Sequence, residues 1–389
     1  MVVQKVLFLD LCCRGLGHLR RCLTLAEGLV RRKPDLSLMV ATGSASVGHL
    51  RMPDGIDWVK VPTLRRANDG NYEGLTPGLD EAELNKIRVA LTLELCTVYQ
   101  PDVLFIDLLP RADDHEATTI VRGARRLLPN CKFVLVLRDI IDDPTTIVNK
   151  WTSYGAYSML EEHYDRICLF GCPWIYDAVT EYRFPDALRL KSKYYGYISK
   201  WDGYGAPSAP REASPDAKII VTVGGGIDGL HLTDTFLKSL HYLEADERSA
   251  LIITGPEMGA VDFRRIVSGA EAYTDVQVTR FVKDLHHDFS SARLTISMAG
   301  YNSVSEIVEA GGRAILMPRG GSNKEQQIRA RRFADLGYVD IADPETTKGE
   351  TLAQQIREML KKPQRKRTKV PFHGIEMLYE DLMSGFQEL

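Results

Sequence analysis

The 389-residue sequence contains no apolar run approaching the ~18 residues that a membrane-spanning helix needs. Its opening, MVVQKVLFLDLCC, is apolar, but Asp10 interrupts it, Arg14 follows, and no small-residue cleavage site appears. It therefore reads as a first β-strand and not as a signal peptide. Cysteine is scarce: 7 residues, an odd count with Cys12 and Cys13 adjacent, do not make a disulfide framework. Cys168 and Cys172 lack a second pair at metal-ligand spacing and read as reduced thiols, not as a zinc site. Neither sign of charge is in excess. Lys and Arg number 49 against 52 Asp and Glu, a formal net charge of -3, so no global basic field exists to hold nucleic acid. These absences predict a cytoplasmic protein without a nucleic-acid partner. A hydrophobic fraction of 44% with 26% charged residues is the balance of a folded chain with sizeable cores.

The chain is long enough for two or three domains. In its first half KVLFLD, LSLMVAT, DWVKVP, PDVLFID, KFVLVLRD and DRICLFG read as strands. Between them, HLRRCLTLAEGLVRR, DEAELNKIRVALTLELCTVY and HEATTIVRGARRLL have helical spacing. Continuous apolar strands alternating with amphipathic helices predict an α/β fold, a parallel sheet covered on both faces. KWDGYGAPSAPREASPD has no apolar period and reads as a linker. Alternation then restarts with KIIVTVGGG, SALIITGP, VQVTRF, LTISMA, RAILMPR and YVDIA. The expected division is 1–199, a linker over 200–216, a second unit over 217–372, and a helix in 373–389 packing back on the first unit. Ligands are expected beyond the carboxyl ends of strands.

Four loops stand at such ends. CCRGLGHLRR holds Gly15 and Gly17, which let the backbone turn sharply, and His18, an imidazole able to take a proton near neutral pH. The alternative is a histidine capping its own helix. VTVGGGIDG places Gly225 and Gly226 after a strand, where backbone N–H groups can face phosphate oxygens, or simply make a tight turn. In SMAGYNSVSEIVEAGG, Gly300, Asn302 and Ser303 offer donors at a helix start, and Glu306 can accept two hydrogen bonds from a diol. The bland reading makes Ser303 the cap and Glu306 its N3 acid. In MPRGGSNKEQQIRA a strand is expected to end at Pro318, with Glu325 and Gln326 in the first turn of the next helix. Strand-end Asp107 and Asp139 are further candidates for acid–base chemistry, or helix caps.

AGYNSVSE, then PR, then EQxxRA followed by Leu336 and Gly337, resembles the C-terminal domain of glycosyltransferase family 28, and GLGHLRR resembles the N-terminal glycine-rich loop of that group. The resemblance is strong over about 218–341 and thin before it. It implies the GT-B architecture, two Rossmann-like domains facing across a cleft, with an inverting reaction and neither metal nor cofactor. It implies that 1–199 binds a hydroxyl acceptor and 217–372 a nucleotide-sugar donor, UDP-linked by family leaning. Carried over by position, Glu306 holds the ribose. Gly300, Asn302 and Ser303 form the diphosphate turn, opposed by Gly225 and Gly226. Val282 reads the base through its backbone, Glu325 and Gln326 contact the sugar, and His18 matches the histidine of the N-terminal loop. Our own reading makes His18 the catalytic base and puts Gly15, Gly17, Asp107 and Asp139 on the acceptor side. The family loop usually has more glycines than CRGLGH, and the acid in EQ replaces a glutamine, so acceptor and donor sugar stay open.

A nucleotide-sugar hydrolase or epimerase on the same fold, and a noncatalytic nucleotide-sugar sensor, remain alternatives. The basic run KKPQRKRTK reads either as a weak peripheral contact for anionic lipid or as a solvated connector.

Overall fold

The computed structural model describes residues 4–11, 16–50, 52–66, 72–75, 78–107, 115–200, 218–282, 285–363 and 368–386. From 201 onward the expected linker lies outside them, as do Gly15 and much of the basic run. The chain divides into two compact units, Met1–Gly203 with Pro371–Leu389, and Tyr204–Val370.

The first unit carries β1 (Lys5–Asp10), β2 (Ser37–Thr42), β3 (Asp57–Lys60), a small antiparallel hairpin of β4 (Leu64–Arg66) and β5 (Tyr72–Gly74), then β6 (Val103–Ile106), β7 (Lys132–Arg138), β8 (Arg166–Phe170) and β9 (Ser192–Tyr194). Seven of these form one sheet in the order β3-β2-β1-β6-β7-β8-β9, parallel throughout. The central strands are buried along nearly their whole length, as a sheet with helices on both faces requires. Phe8 and Phe105 pair in register across β1 and β6 and stack at 4.5 Å between ring centroids. From β1 the chain steps outward through β2 and β3, then returns to β6 and proceeds the other way. The order therefore reverses between β1 and β6, and ligand sites in open α/β sheets lie at the carboxyl ends of such a pair.

The helix Gly374–Met383 packs in this first unit against the helix Gly17–Arg32. A Cβ on Gly28 would lie 2.5 Å from Ile375 Cγ2, so the two helices meet at a position only glycine fits. Asp381 ties the helix to β9 and its extension, accepting from Lys193 Nζ at 2.6 Å and from the Tyr195 hydroxyl.

The second unit carries β10 (Ile219–Thr222), β11 (Ala250–Ile253), β12 (Val276–Thr279), β13 (Leu294–Ser297), β14 (Ala314–Leu316) and β15 (Asp340–Ile341). They form a six-stranded parallel sheet in the order β12-β11-β10-β13-β14-β15. Its core is Ile219, Val221, Ile252, Leu294 and Ile296 with Phe236 and Ile356 from the covering helices. Here the order reverses between β10 and β13. β14 stops at Leu316, two residues short of the expected end at Pro318, because proline cannot donate to the ladder. Among the described residues no helix is long and apolar enough to cross a membrane.

Candidate active site

In the first unit His18, Arg21 and Cys22 share one face of the helix Gly17–Arg32, at spacings of three and four residues. That face meets Asp107, the residue that follows β6, at the reversal point of the sheet. His18 Nδ1 lies 3.0 Å from Asp107 Oδ1, Arg21 Nε donates to Oδ2 at 3.0 Å, and the Cys22 thiol reaches Oδ2 at 3.5 Å. Arg21 and Asp107 are buried, while the His18 side chain keeps 21% of its surface exposed. Arg138, at the end of β7, places a guanidinium nitrogen 3.3 Å from His18 Nε2.

These neighbours select a tautomer. A guanidinium only donates and an ionised carboxylate only accepts. A proton on Nδ1 gives Asp107 a donor and leaves the Nε2 lone pair toward Arg138. The opposite tautomer would set donor against donor at Arg138 and lone pair against lone pair at Asp107. Arg21 Nη2, 3.1 Å from Nδ1, opposes the proton there, but it has Asp107 Oδ1 as its own acceptor. Burial lowers the His18 pKa from its ordinary 6.5, Arg21 and Arg138 push the same way, and Asp107 opposes them. Burial alone would raise Asp107, but the Arg21 charge and the hydrogen bonds from His18 and Arg21 hold it well below the usual carboxylate range. The result is a neutral imidazole with its basic nitrogen at Nε2, backed by an ionised carboxylate.

Asp139 stands elsewhere in the hydrogen-bond scheme. Buried beyond β7, it accepts from the Ile140 N–H at 2.7 Å and the Tyr197 hydroxyl at 3.1 Å, which ties the β7 end to the segment after β9. Among the described residues, a Cβ on Gly17 would meet nothing within 4 Å.

In the second unit the helix Tyr301–Ala310 follows β13 and is capped by Gly300, with no side-chain cap. The Ser303 cap considered from sequence is thus absent: Ser303 lies at N3, and Glu306 falls in the second turn, half-buried. Gly300 has φ -67°, and a Cβ there would meet nothing within 4 Å, so neither backbone nor packing requires glycine at that position. Gly226 is different. Its φ is +103°, and a Cβ would fall 2.4 Å from the Thr254 carbonyl oxygen. Gly225 accepts from the Glu257 N–H at 2.8 Å. These two glycines therefore join the β10 loop to the β11 loop. Val282 lies half-buried in the segment after β12.

The helix Glu325–Asp335 grips the turn before Gly300 from both sides. Gln326 Oε1 accepts from the Ala299 N–H at 3.2 Å and the Arg319 N–H at 2.9 Å. Arg329, fully buried, donates to the Ala299 carbonyl at 2.9 Å and to Glu325 Oε1 at 3.0 Å, with its guanidinium 5.7 Å from the Tyr301 ring centroid. Arg319 pairs with Asp228 at 3.2 Å. The sequence reading gave no role to Arg21, Arg138, Arg319, Asp228 or Arg329. Arg21, Arg319 and Arg329 stood within the motifs GLGHLRR, PR and EQxxRA, and Arg329 also lies four residues from Glu325, a spacing that suits a salt bridge along a helix.

Residues 219–373 match the model of the glycosyltransferase family 28 C-terminal domain. The second unit is family 28-like, and the chain has the GT-B fold. A UDP-N-acetylglucosamine--N-acetylmuramyl-(pentapeptide) pyrophosphoryl-undecaprenol N-acetylglucosamine transferase of Anaeromyxobacter sp. (strain Fw109-5) is 29% identical over 160 residues, 40% of this chain and 41% of that protein. The chain thus spans about two fifths of the length of the curated relatives it matches. Among solved structures, Acinetobacter baumannii MurG superposes with a TM-score of 0.58 at 16% identity, covering 98% of this chain and 99% of that one. A putative UDP-N-acetylglucosamine 2-epimerase from Listeria monocytogenes superposes at 0.62 with 10% identity, covering 100% and 97%. Likeness at such identities speaks for the GT-B fold alone, and the family match bears on the second unit.

Proposed function

We propose that this chain is an inverting, metal-independent glycosyltransferase that moves a sugar from a nucleoside diphosphate sugar, UDP-linked, to a hydroxyl acceptor. The observation that carries this reading is the His18–Asp107 pair at the reversal point of the first sheet, in a chain whose second unit matches a glycosyltransferase domain. A neutral imidazole with Nε2 unprotonated is the form a general base needs. It takes the acceptor hydroxyl's proton as that oxygen attacks the anomeric carbon, and the nucleoside diphosphate leaves from the opposite face. Asp107 keeps the tautomer and stabilises the imidazolium that forms, which then returns its proton to solvent.

On the donor side the proposal gives the diphosphate to Gly300, Asn302 and Ser303 at a helix start without a side-chain cap, where partial positive charge favours an anion. Glu306 takes the ribose hydroxyls, and Val282 reads the base. Gly225 and Gly226 shape the facing loop. Glu325, oriented by Arg329, and the Gln326 amide NH2 meet the sugar. His18, Gly17 and Asp107 form the acceptor side, and Asp139 supports it. Cytoplasmic residence and the weak peripheral membrane contact belong to the same proposal. Incubation with a panel of nucleotide sugars tests it: slow release of the nucleoside diphosphate without acceptor is expected. Formation of an epimer, or binding without turnover when an acceptor panel is added, would overturn it in favour of the epimerase or the sensor.

A further inference from the structure

The loops that follow β10 and β14 are joined by an ion pair, Arg319 Nε to Asp228 Oδ2 at 3.2 Å. β13 lies between those strands and runs parallel to both. The pair therefore crosses the carboxyl end of β13, where Gly300 opens the helix Tyr301–Ala310. Arg319 is fastened there by its backbone, since its N–H and that of Ala299 donate to the same Gln326 oxygen. Both side chains of the pair are 45% exposed, and an ion pair so hydrated contributes little to stability. Cβ atoms on Gly224, Gly300, Gly320 and Gly321 would each meet nothing within 4 Å, so these three loops border open space.

We propose that Arg319 is a ligand of the donor diphosphate and that Asp228 is its placeholder, a carboxylate that holds the guanidinium across the site until the diphosphate takes it. The inference rests on the nucleotide-sugar reading above. Arginine forms forked, charge-assisted bonds with carboxylates and phosphates alike, and a diphosphate ester offers more charge and more acceptor oxygens than one carboxylate. Once exchanged, Asp228 is a negative charge beside a negative ligand. The two partners of one ion pair thus have opposite effects on affinity: Arg319 favours the diphosphate, and Asp228 competes with it. A pair that merely braced two loops would make its members act alike.

Calorimetric titration of the full chain with UDP, inorganic pyrophosphate and uridine separates these cases. Arg319→Met is expected to weaken UDP and pyrophosphate by about tenfold or more and to leave uridine unchanged. Asp228→Asn, isosteric and at the surface, is expected to tighten UDP by about threefold or more through the repulsion removed. The double variant should bind UDP more tightly than Arg319→Met, because the repulsion from Asp228 is removed there too, and Arg319→Lys, which keeps charge but not the fork, should fall between wild type and Arg319→Met. Weaker UDP binding by Asp228→Asn, or unchanged binding by Arg319→Met, overturns the proposal while leaving the nucleotide-sugar reading intact. Wild-type protein that binds neither UDP nor pyrophosphate overturns both. If Arg319→Met does not fold, Asp228→Asn and Arg319→Lys decide.

Discussion

Gln326 Oε1 accepts a hydrogen bond from the Ala299 N–H, so a residue one strand further along the chain fixes the peptide just ahead of the helix that Gly300 caps. With Arg329 on the Ala299 carbonyl, both polar groups of that residue are held by side chains of one helix. EQxxRA is thus a clamp on the proposed diphosphate turn, besides the sugar contact proposed for it. Arg329→Met leaves a buried carbonyl and the largely buried Glu325 carboxylate without this partner. It should cost about 3 kcal/mol of stability, as loss of one member of a buried pair does. Urea denaturation measures it, and a loss under 1 kcal/mol would show that the clamp is slack.

For His18→Ala the expected outcome is a fall in kcat of ~10²–10⁴-fold, the usual contribution of general-base help, with UDP affinity within about twofold. Turnover within about threefold of wild type would place the base elsewhere. Asp107→Asn should reduce kcat by a similar factor, since an amide neither stabilises the imidazolium nor offsets Arg21; the comparison is made per folded molecule.

The depressed His18 pKa sets the sign of two pH effects. Activity should hold below pH 6.5 and fall only as the pH drops through the lowered value of the folded state. Stability follows the same group: protonation is easier in the unfolded chain, so the neutral imidazole's contribution is complete above about pH 6.5 and is lost progressively below it. The urea midpoint should therefore decline as the pH falls below about 6.5, and decline less in His18→Gln. Asp107 adds a second loss below about pH 3.9, the ordinary carboxylate value, because its folded pKa is also lowered.

Glu306→Ala should weaken UDP binding by ~10–100-fold through loss of charged hydrogen bonds to the ribose, with the fold retained because alanine suits a helix interior. Uridine should weaken by the same factor, whereas pyrophosphate should not. Equal affinity of variant and wild type for UDP would remove the ribose assignment.

Turnover should persist in excess EDTA, because helix-start amides and arginine are proposed to meet the diphosphate. Abolition by EDTA with rescue by manganese would refute metal independence.

The strands were legible because a parallel sheet buried on both faces writes itself as unbroken apolar runs, and KVLFLD, PDVLFID and KFVLVLRD are such runs. β9 was not, since SKY is a short, half-buried edge strand with no apolar period. Strand order was also out of reach: nothing in either segment says that β1 pairs with β6, yet that pairing brings His18 to Asp107 across 89 positions. At the second site the glycines and acids stood out, but the arginines did not. Spacing pairs Arg329 with Glu325 on a helix, but nothing in the sequence says that this guanidinium is buried and reaches the Ala299 carbonyl.

The helix Gly374–Met383 closes the first unit from the far end of the chain, after the whole of Tyr204–Val370. The second unit is therefore an insertion in the first, which is built from two stretches of sequence. Synthesis runs from the N-terminus, so on the ribosome the second unit is fully made while the first still lacks Pro371–Leu389. Until that segment emerges, the groove beside Gly28 stays unfilled and Lys193 and Tyr195 wait for Asp381. The half that carries the His18–Asp107 pair begins first and is finished last.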